Sequence, residues 1–550
     1  MNKKIKGLLV CLLTCFFLVG CVGKEGPQGE QGIQGPQGEQ GIQGPQGEQG
    51  KSAFDIYTQY HDYSGTEEEW IIDLINGNLK EPQKVTVTFN PNNGEDSFKQ
   101  IVDKNSKVTR PENPTWDYHI FNKWVCFDGV EYVDWSFVGY VVTEDITLEA
   151  VWDYPTYELP IVNIDTDDKP INSKENYTDM SFSLENCDNE LKNIEGGIRL
   201  RGNSTLNQPK KPYRIKFDSK QSLFGLPKAK SWVLLADYLD PSTLHNYAAF
   251  NIANNMPGLK FSPTPHKLNL YLNGDFKGIY TICEQIQENK GRIDIELDEI
   301  TEDMTDLKDF NFFIAMDQSS ISDAGAKLNE TYIHIEKYDK YFELKYPEKD
   351  QFVSEEQFNS FISQLKDYIL DIMDTFKSKN VEEIKNKTNI NSLIDFLIVD
   401  QIMGEQDHAW KSFNMYYTNT SSEEENGKLN FGPVWDYDWS LYTPYTGYPN
   451  EYYNISNSVS YSNLFYQTVA STPDLFEILT QRYNNYGKAS LENCISNLET
   501  IIPSMEESLK LNNEVWYDKF PDNITDKNIE FLLAFLKNRK VVLEKAWAIK

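Results

Sequence analysis

The sequence is poor in the residues from which metal centres and nucleic-acid interfaces are usually built. Its 550 residues include 6 histidines and 7 cysteines, with no C-x-x-C motif and no histidine pair at zinc-ligand spacing. Lysine and arginine number 52 against 84 acidic residues, which gives a net charge of -32. A general nucleic-acid binder is excluded, because phosphate neutralisation requires an excess of basic residues. The acidic balance favours a basic protein partner, or is simply an acidic surface.

Long apolar runs are also missing, apart from one at the N-terminus. Lysines precede an apolar stretch over 8–19, which is too short to persist as a membrane helix. The stretch ends in Leu18-Val19-Gly20-Cys21 and resembles the lipobox of bacterial lipoproteins. This resemblance implies a signal peptide over 1–20 and lipid attachment to Cys21. We therefore expect an extracytoplasmic protein anchored by lipid to the bacterial cell membrane or cell surface.

Outside the predicted signal peptide and Cys21, the cysteines are few and scattered through the chain. They are Cys126, Cys187, Cys283 and Cys494. We expect them to be small buried hydrophobic residues, with one disulfide as the alternative.

Glycine occupies every third position over 23–50. Only glycine fits at the axis of a triple helix, so 21–50 is predicted to be the lipid anchor followed by a collagen-like stalk. A homotrimer and an extended single chain are both compatible with it. A short helical module is predicted over 51–80, where Thr66 and three glutamates form a helix start. It resembles modules that follow bacterial collagen-like stretches and would help to align three chains.

The segment 84–153 alternates in the manner of short β-strands. Its pattern VTVTFNPNNG, FNKWVCFDG and VTEDITLEAVW resembles the internalin-type B repeat of bacterial surface proteins. This resemblance implies a small β-grasp-like domain that acts as a spacer or an adhesive unit.

The segment 157–550 is predicted to be one large α+β domain, rich in strands before Ser354 and in helices after it. Asp240 and Pro241 predict a helix that runs through Asn255. Asn273-Gly274 predicts a type I′ hairpin turn. A helix with one apolar face is predicted over 390–398, and three further helices are predicted within 463–550.

A concentration of oxygen-bearing side chains lies between 404 and 441. Two strands, over 413–418 and 429–435, are predicted to form a hairpin, which places Asp407 and Asp436 at the same end. Asn414 and Asp438 lie nearby. Three carboxylates and an amide suit Mg²⁺, and a carboxylate free of metal could accept the proton of a hydroxyl group.

The order of these residues resembles that of protein kinases, but H-R-D, D-F-G and G-x-G-x-x-G are absent. An ordinary kinase is therefore excluded. Several motifs together resemble the CotH family of spore-coat protein kinases across about 157–540. They are GGIRLRGNSTLNQPKKPYRIKF, SWVLLADYLDPSTLHNYAAFNIA, YLNGDFKGIYTICEQI, YPE, GEQDHAWKSFNMYY and GPVWDYDWS. The resemblance implies a divergent kinase-like fold and transfer of phosphate from ATP to protein serine or threonine, with Mg²⁺ or Mn²⁺.

The resemblance also implies roles for single residues. Asp407 would be the catalytic aspartate, Asp436 the metal ligand with Asp438 in support, and Asn414 a second metal ligand. We assign His408, beside Asp407, to packing or hydrogen bonding.

The RGNST turn would bind nucleotide phosphates through a glycine and backbone N–H groups. Its residues are Arg201, Gly202, Asn203 and Ser204. We expect Lys216 to contact phosphate, with Lys211 as the rival, and Glu284 to pair with that lysine.

Two other functions stay open at this point. The domain could be a non-catalytic adhesion or structural module, since ATP is scarce outside the cytoplasm. The D-x-D pattern also occurs in nucleotide-sugar transferases, although RGNST favours the kinase. The acidic composition predicts a basic, serine-rich protein substrate.

Overall fold

The computed structural model describes residues 51–60, 63–79, 83–153, 158–202, 204–317, 328, 331–405, 407–419, 425–441, 463–517 and 524–548. The predicted signal peptide, Cys21 and the collagen-like stalk lie outside these ranges and stay predictions. The chain forms two compact units. The first is Met1–Lys84 with Asp103–Ser106, and the second is Val85–Val102 with Lys107–Lys550. Among the described helices, none has the length and apolar character of a membrane span.

The described part of the first unit contains two short helices, α1 (Ala53–Tyr60) and α2 (Glu67–Asn76). Thr66 accepts a hydrogen bond from the Glu69 backbone N–H, and the Glu69 carboxylate accepts one from Thr66. This capping box confirms the predicted helix start. No residue of α2 is buried, and its apolar side chains other than the half-buried Trp70 are exposed.

A five-stranded sheet follows. Its strands are β1 (Lys84–Asn90), β2 (Phe98–Asp103), β3 (Ile120–Phe127), β4 (Tyr132–Asp134) and β5 (Ile146–Asp153). Their order is β2-β1-β5-β3-β4, and β1 and β5 are parallel. Alternate residues Val85, Val87 and Phe89 are buried, as the alternating sequence predicts for a sheet covered on one face.

Seven strands then form a closed barrel in the order β10-β12-β11-β6-β7-β8-β9. They are β6 (Ile161–Asp165), β7 (Thr178–Glu185), β8 (Leu191–Leu200), β9 (Tyr213–Gln221), β10 (Ala229–Leu235), β11 (His266–Leu272) and β12 (Asp275–Glu284). The interior is filled by apolar side chains such as Phe182, Ile215 and Trp232. Asn273 and Gly274 have φ values of 51° and 79°, which confirms the turn between β11 and β12.

Helix α3 (His245–Ala253) starts later than predicted. The Asp240 carboxylate accepts backbone N–H bonds from Ser242, Leu244 and His245 at 2.7 to 2.9 Å. Asp240 therefore organises a turn ahead of the helix, and the prediction that it is the N-cap was wrong. Competing side chain–backbone bonds of this kind are typical of aspartate at turns.

The C-terminal part begins with a second five-stranded sheet, ordered β14-β15-β13-β16-β17. Its strands are β13 (Phe312–Met316), β14 (Tyr332–Ile335), β15 (Lys340–Tyr346), β16 (Phe413–Thr418) and β17 (Lys428–Phe431). The predicted hairpin of β16 and β17 is present. Strand β17 ends before Gly432-Pro433, earlier than predicted, because proline cannot donate a ladder hydrogen bond.

Helices pack around this sheet. They are α4 (Glu355–Ser378), α5 (Val381–Lys387), α6 (Ile390–Met403), α7 (Leu464–Ser471), α8 (Pro473–Arg482), α9 (Lys488–Ser504), α10 (Glu506–Trp516) and α11 (Ile524–Ala546). Helix α6 is buried on all sides rather than on one face, since helices and β17 surround it. The described part of 463–550 holds five helices instead of the predicted three.

The four cysteines outside the N-terminal segment are free. Cys126, Cys283 and Cys494 are buried, as expected for small hydrophobic residues. The alternative of a disulfide among these four is not found.

Candidate functional site

A cleft of about 240 Å³ lies where the barrel meets the second sheet. Arg201 and Gly202 line it from the turn after β8, and Asn414 lines it from β16. Asp436 and Asp438 reach it from the loop after β17. Residues far apart in the chain converge here because the turn after β8, strand β16 and the loop after β17 all border the cleft.

The loop Trp435–Asp438 turns the Tyr437 side chain away from the two acidic side chains. Tyr437 is fully buried, and its hydroxyl donates to Asp400 at 2.6 Å. Its backbone N–H donates to the Asn246 side chain at 2.9 Å. Because neighbouring side chains point apart, Asp436 and Asp438 both face the cleft. Asp436 has a φ of 71°, a conformation that costs energy for a residue other than glycine.

Lys411 is the positive charge among three carboxylates. Its Nζ lies 2.6 Å from Asp407 Oδ2. Burial lowers the pKa of Lys411, but Asp436, Asp407 and Asp438 together raise it above its ordinary value. The structure therefore brings the predicted acids together around Lys411, although Asp407 itself does not line the cleft.

The two cleft aspartates differ in their surroundings. The Ser412 hydroxyl donates to Asp436 Oδ2 at 2.9 Å. The pKa of the Asp438 carboxyl is raised well above its ordinary value by burial and by the charge of Asp436. Two carboxylates this close favour a shared proton or a cation.

His408 connects the loop of Asp407 with the loop of Asp436. Its Nδ1 lies 3.0 Å from both oxygens of Asp400, and its Nε2 lies 2.8 Å from the Trp435 carbonyl oxygen. Burial lowers the pKa of His408, but the charge and hydrogen bonds of Asp400 raise it to about 10. The imidazolium donates both hydrogen bonds, and the hydrogen-bonding role expected for His408 is confirmed.

Glu405 is a buried acid in the loop between α6 and β16. Its Oε1 accepts the Asp407 backbone N–H at 2.6 Å. Burial raises the pKa of Glu405 to about 7. Nothing in the local sequence marks Glu405, since its burial is decided by packing around α6.

Arg201 is the predicted phosphate-binding residue whose charged side chain lines the cleft. Its guanidinium lies over the Trp435 ring, 5.1 Å from the centroid. Burial lowers its pKa, while Cys283, Asp436 and Asp438 act in the opposite direction. Among the described residues, no carboxylate lies within the ion-pair distance of 4 Å from the Arg201 guanidinium. The guanidinium is thus available to an anion in the cleft.

The turn after Arg201 requires glycine. Gly202 has a φ of 91°, and a Cβ there would lie 2.1 Å from Thr205 Oγ1. Lys211, the rival phosphate contact, donates to the carbonyl oxygens of Leu206 and Gln208 at 2.7 Å each. Lys211 therefore holds the turn. Asn203 and the side chain of Ser204 lie outside the described residues.

The predicted pair of Lys216 and Glu284 is not formed. Glu284 is buried, accepts the Thr264 N–H at 2.7 Å and lies near Arg292. Glu284 lies opposite Trp232, which lies opposite Ile215, so these three share the inner face of the barrel. Lys216, one residue further, is exposed on the outer face.

Sequence reasoning missed a buried cluster along the cleft. Lys267 Nζ lies 3.4 Å from Asp237 Oδ2 and donates to Thr281 at 2.9 Å. Asp237 also accepts from Asn246 at 2.9 Å. Lys210 lines the cleft too, and burial lowers its pKa well below the ordinary value. These residues lie in different strands and helices, so no spacing in the sequence could have linked them.

A divalent cation fits the cleft only if carboxylates, an amide oxygen and ligands from outside the protein bind it together. Within the described ranges, no group of three or more His, Cys, Asp or Glu residues could hold a metal. Asn414 Nδ2 donates to the Pro433 carbonyl at 2.9 Å, which leaves Oδ1 as an acceptor. Asp436, Asp438 and this amide oxygen are the hard oxygen ligands that Mg²⁺ prefers when water and phosphate complete its shell.

Comparison with protein families gives two matches. A model of the CotH kinase protein family matches residues 198–543. The chain belongs to this family. The CotH match includes the cleft, the hairpin of β16 and β17, and most of the helices. A Listeria-Bacteroides repeat domain matches residues 86–151, the first sheet. No match was found among curated proteins.

Proposed function

We propose that the cleft is the phosphoryl-transfer site of an atypical protein kinase that uses ATP and Mg²⁺ or Mn²⁺ to phosphorylate protein serine or threonine. The observation that supports it most is the pair of cleft carboxylates, Asp436 and Asp438, beside the unpaired guanidinium of Arg201. A metal site next to an anion site is what a metal–nucleotide complex requires. Membership of the CotH kinase protein family supports the same function.

The acidic residues and the basic residue of the cleft would bind different parts of the metal–nucleotide complex. Asp436, Asp438 and the Asn414 amide would hold the metal, and Arg201 with the backbone around Gly202 would bind phosphate oxygens. When bound, the metal–nucleotide would supply the phosphoryl group and the charge that stabilises its transfer. Asp407 would orient the substrate hydroxyl and accept its proton. Since Asp407 contacts Lys411 and does not line the cleft, the Asp407 side chain would have to turn towards the cleft as the substrate enters.

Incubation of the full chain with labelled ATP and Mg²⁺ or Mn²⁺, with and without a mixture of acceptor proteins, tests this function. Asp436→Asn should abolish transfer. Asp367→Asn, a change at an exposed aspartate of α4, is the matched control and should retain it. Absence of nucleotide and metal binding in calorimetry would overturn the proposal.

A non-catalytic binding module is the second candidate. The contact of Lys411 with Asp407 at 2.6 Å favours it, because the proposed base is occupied and lies off the cleft. The repeat domain also suits display at a cell surface. Nucleotide binding without any transfer would favour this candidate.

We also propose that Cys21 carries a lipid anchor and that the stalk assembles three chains. Exposed apolar side chains on α2 support association of copies: Ile71, Ile72, Leu74 and Ile75. Incorporation of labelled fatty acid, lost in Cys21→Ala, tests the anchor. Light scattering of the detergent-solubilised chain tests the trimer, which Leu74→Glu with Ile75→Glu should weaken.

A further inference from the structure

A basic groove of about 390 Å³ opens on the outer face of the barrel. Arg214, Lys216 and Lys220 project into it from alternate positions of β9, and Lys230 reaches it from β10. Lys345 lines both this groove and the cleft. The groove therefore leads directly to the candidate active site.

Two arginines on this face lie side by side. Arg199 of β8 and Arg214 of β9 are direct cross-strand partners. The Nε atoms of both are buried and have no hydrogen-bond partner. Like charges directly opposite in a sheet destabilise it, and an unsatisfied buried donor costs further free energy. An anion between the guanidinium groups would remove both costs.

The groups around these arginines do not neutralise them. Arg199 lies over the Tyr177 ring, 5.0 Å from its centroid, and Arg214 reaches Ser231 Oγ at 3.5 Å. Glu288 and Glu348 are the carboxylates among the described groove-lining residues, and neither lies within ion-pair distance of Arg214. Tyr177, Glu288 and Glu348 face Arg214 and favour its charge, whereas Arg199 opposes it.

Of the groove lysines, Lys345 pairs with Glu343, whereas the three on β9 and β10 have no acidic partner among the described residues. Lys216, Lys220 and Lys230 are exposed, and none has a carboxylate of the described residues within 4 Å. In a chain with 84 acidic and 52 basic residues, most lysines would be expected to lie near an acid. With Lys345 compensated by Glu343, four basic side chains face the two carboxylates of the groove and give it a positive potential.

We propose that this groove binds an acidic, aspartate- or glutamate-rich segment of a protein partner. Paired guanidinium groups recognise carboxylates through bidentate hydrogen bonds, and the lysines add attraction along the segment. The net charge predicts a basic partner, but the local charge beside the cleft has the opposite sign. Binding itself does not depend on catalysis. That the partner is the phosphorylated substrate rests on the proposed kinase function.

Fluorescence anisotropy with the full chain tests the groove. The probes are a labelled peptide of alternating glutamate and serine, and one of alternating lysine and serine. The glutamate peptide should bind and the lysine peptide should not. Lys216→Glu with Lys220→Glu should weaken binding at least about tenfold, because two attractive charges become repulsive. Lys192→Glu with Lys385→Glu makes the same change in net charge outside the groove and should leave binding nearly unchanged.

A second variant tests the arginine pair. Arg214→Gln keeps a polar side chain but removes its charge, and with it the cross-strand repulsion, so it should fold and bind the glutamate peptide several-fold more weakly. Equal binding by wild type and both groove variants would overturn the proposal. So would equal weakening in the control variant, absence of binding, or preference for the lysine peptide.

The Asp436→Asn variant separates this inference from the kinase function. It should bind the glutamate peptide as wild type does, since the change lies in the cleft. Peptide binding by a wild-type chain that transfers no phosphate would leave the groove standing and overturn only the kinase function. Transfer that is unaffected by the groove charges would leave the kinase function standing and overturn only the identification of the acidic partner as its substrate.

Discussion

Asp400→Asn tests the buried network that holds the two acidic loops together. Asp400 is fully buried and accepts hydrogen bonds from His408, Tyr437 and Tyr466 at 2.6 to 3.0 Å. Asparagine keeps the shape of the side chain but removes its charge. It leaves the His408 imidazolium buried without a counter-charge, which is the situation that most destabilises a protein interior.

The magnitude follows from the pKa of His408. It rises from 6.5 to about 10 in the folded protein, a difference that corresponds to on the order of 5 kcal/mol. A raised histidine pKa stabilises the folded state fully below pH 6.5, and this contribution is lost as the pH rises through 10. Removing one partner of a buried ion pair generally costs about 3–5 kcal/mol, which agrees with the difference derived from the His408 pKa. The loss at pH 7 should therefore be about 3–5 kcal/mol and should shrink towards pH 10.

Urea unfolding followed by tryptophan fluorescence measures this free energy at pH 7 and pH 10. Asp371→Asn is the control, because Asp371 pairs with Lys387 at 2.7 Å but is about half exposed. Screened pairs of that kind contribute little. A loss of less than about 1 kcal/mol in the unfolding free energy of Asp400→Asn at pH 7 would contradict the pairing of Asp400 with the His408 imidazolium. An equal loss at pH 7 and pH 10 would contradict it too.

Three further changes test other parts of the site. Lys411→Met removes the charge that compensates the acids, so Mg²⁺ should raise the melting temperature more in this variant than in wild type, and an equal shift would contradict the idea. Gly202→Ala places a side chain where φ is 91° and contact is close, so it should lose about 1–3 kcal/mol of stability and weaken ATP binding in calorimetry. Gly427→Ala, where φ is 69° and nothing lies within 4 Å, should lose less. Glu405 has a pKa raised to about 7, so its stabilising effect is lost as the pH rises through 7. Glu405→Gln should then gain on the order of 3 kcal/mol over wild type at pH 8.5 in urea unfolding, and no gain would refute the assignment.

Local signals in the sequence predicted local structure well. The helix start at Thr66 and the Asn273-Gly274 turn each depend on a few consecutive residues. The hairpin of β16 and β17 also followed from alternation and a polar turn. It brought Asp407 and Asp436 to the same end because antiparallel strands leave no other arrangement.

Residues whose roles depend on packing could not be predicted in this way. Lys216 and Glu284 fall on opposite faces of the barrel, which depends on the register of β9, β10 and β12. Helix α6 is apolar enough on one side to suggest a surface helix, yet it is buried throughout. The sequence did not predict the role of Lys411, because a loop lysine four residues after an aspartate is usually solvated. Its role follows only from the carboxylates that another loop brings towards it.

The charges around Trp435–Asp438 limit what the cleft can bind. Three carboxylates surround one ammonium group, and Arg201 adds a second positive charge. With all three acids ionised, the group carries a net charge of about -1, and burial makes that charge costly. Free nucleotide, which is itself strongly anionic, would add repulsion. A divalent cation reverses the balance, because it neutralises Asp436 and Asp438 and leaves Arg201 to the phosphate. The acids among the tryptophans therefore favour a metal–nucleotide complex over the nucleotide alone.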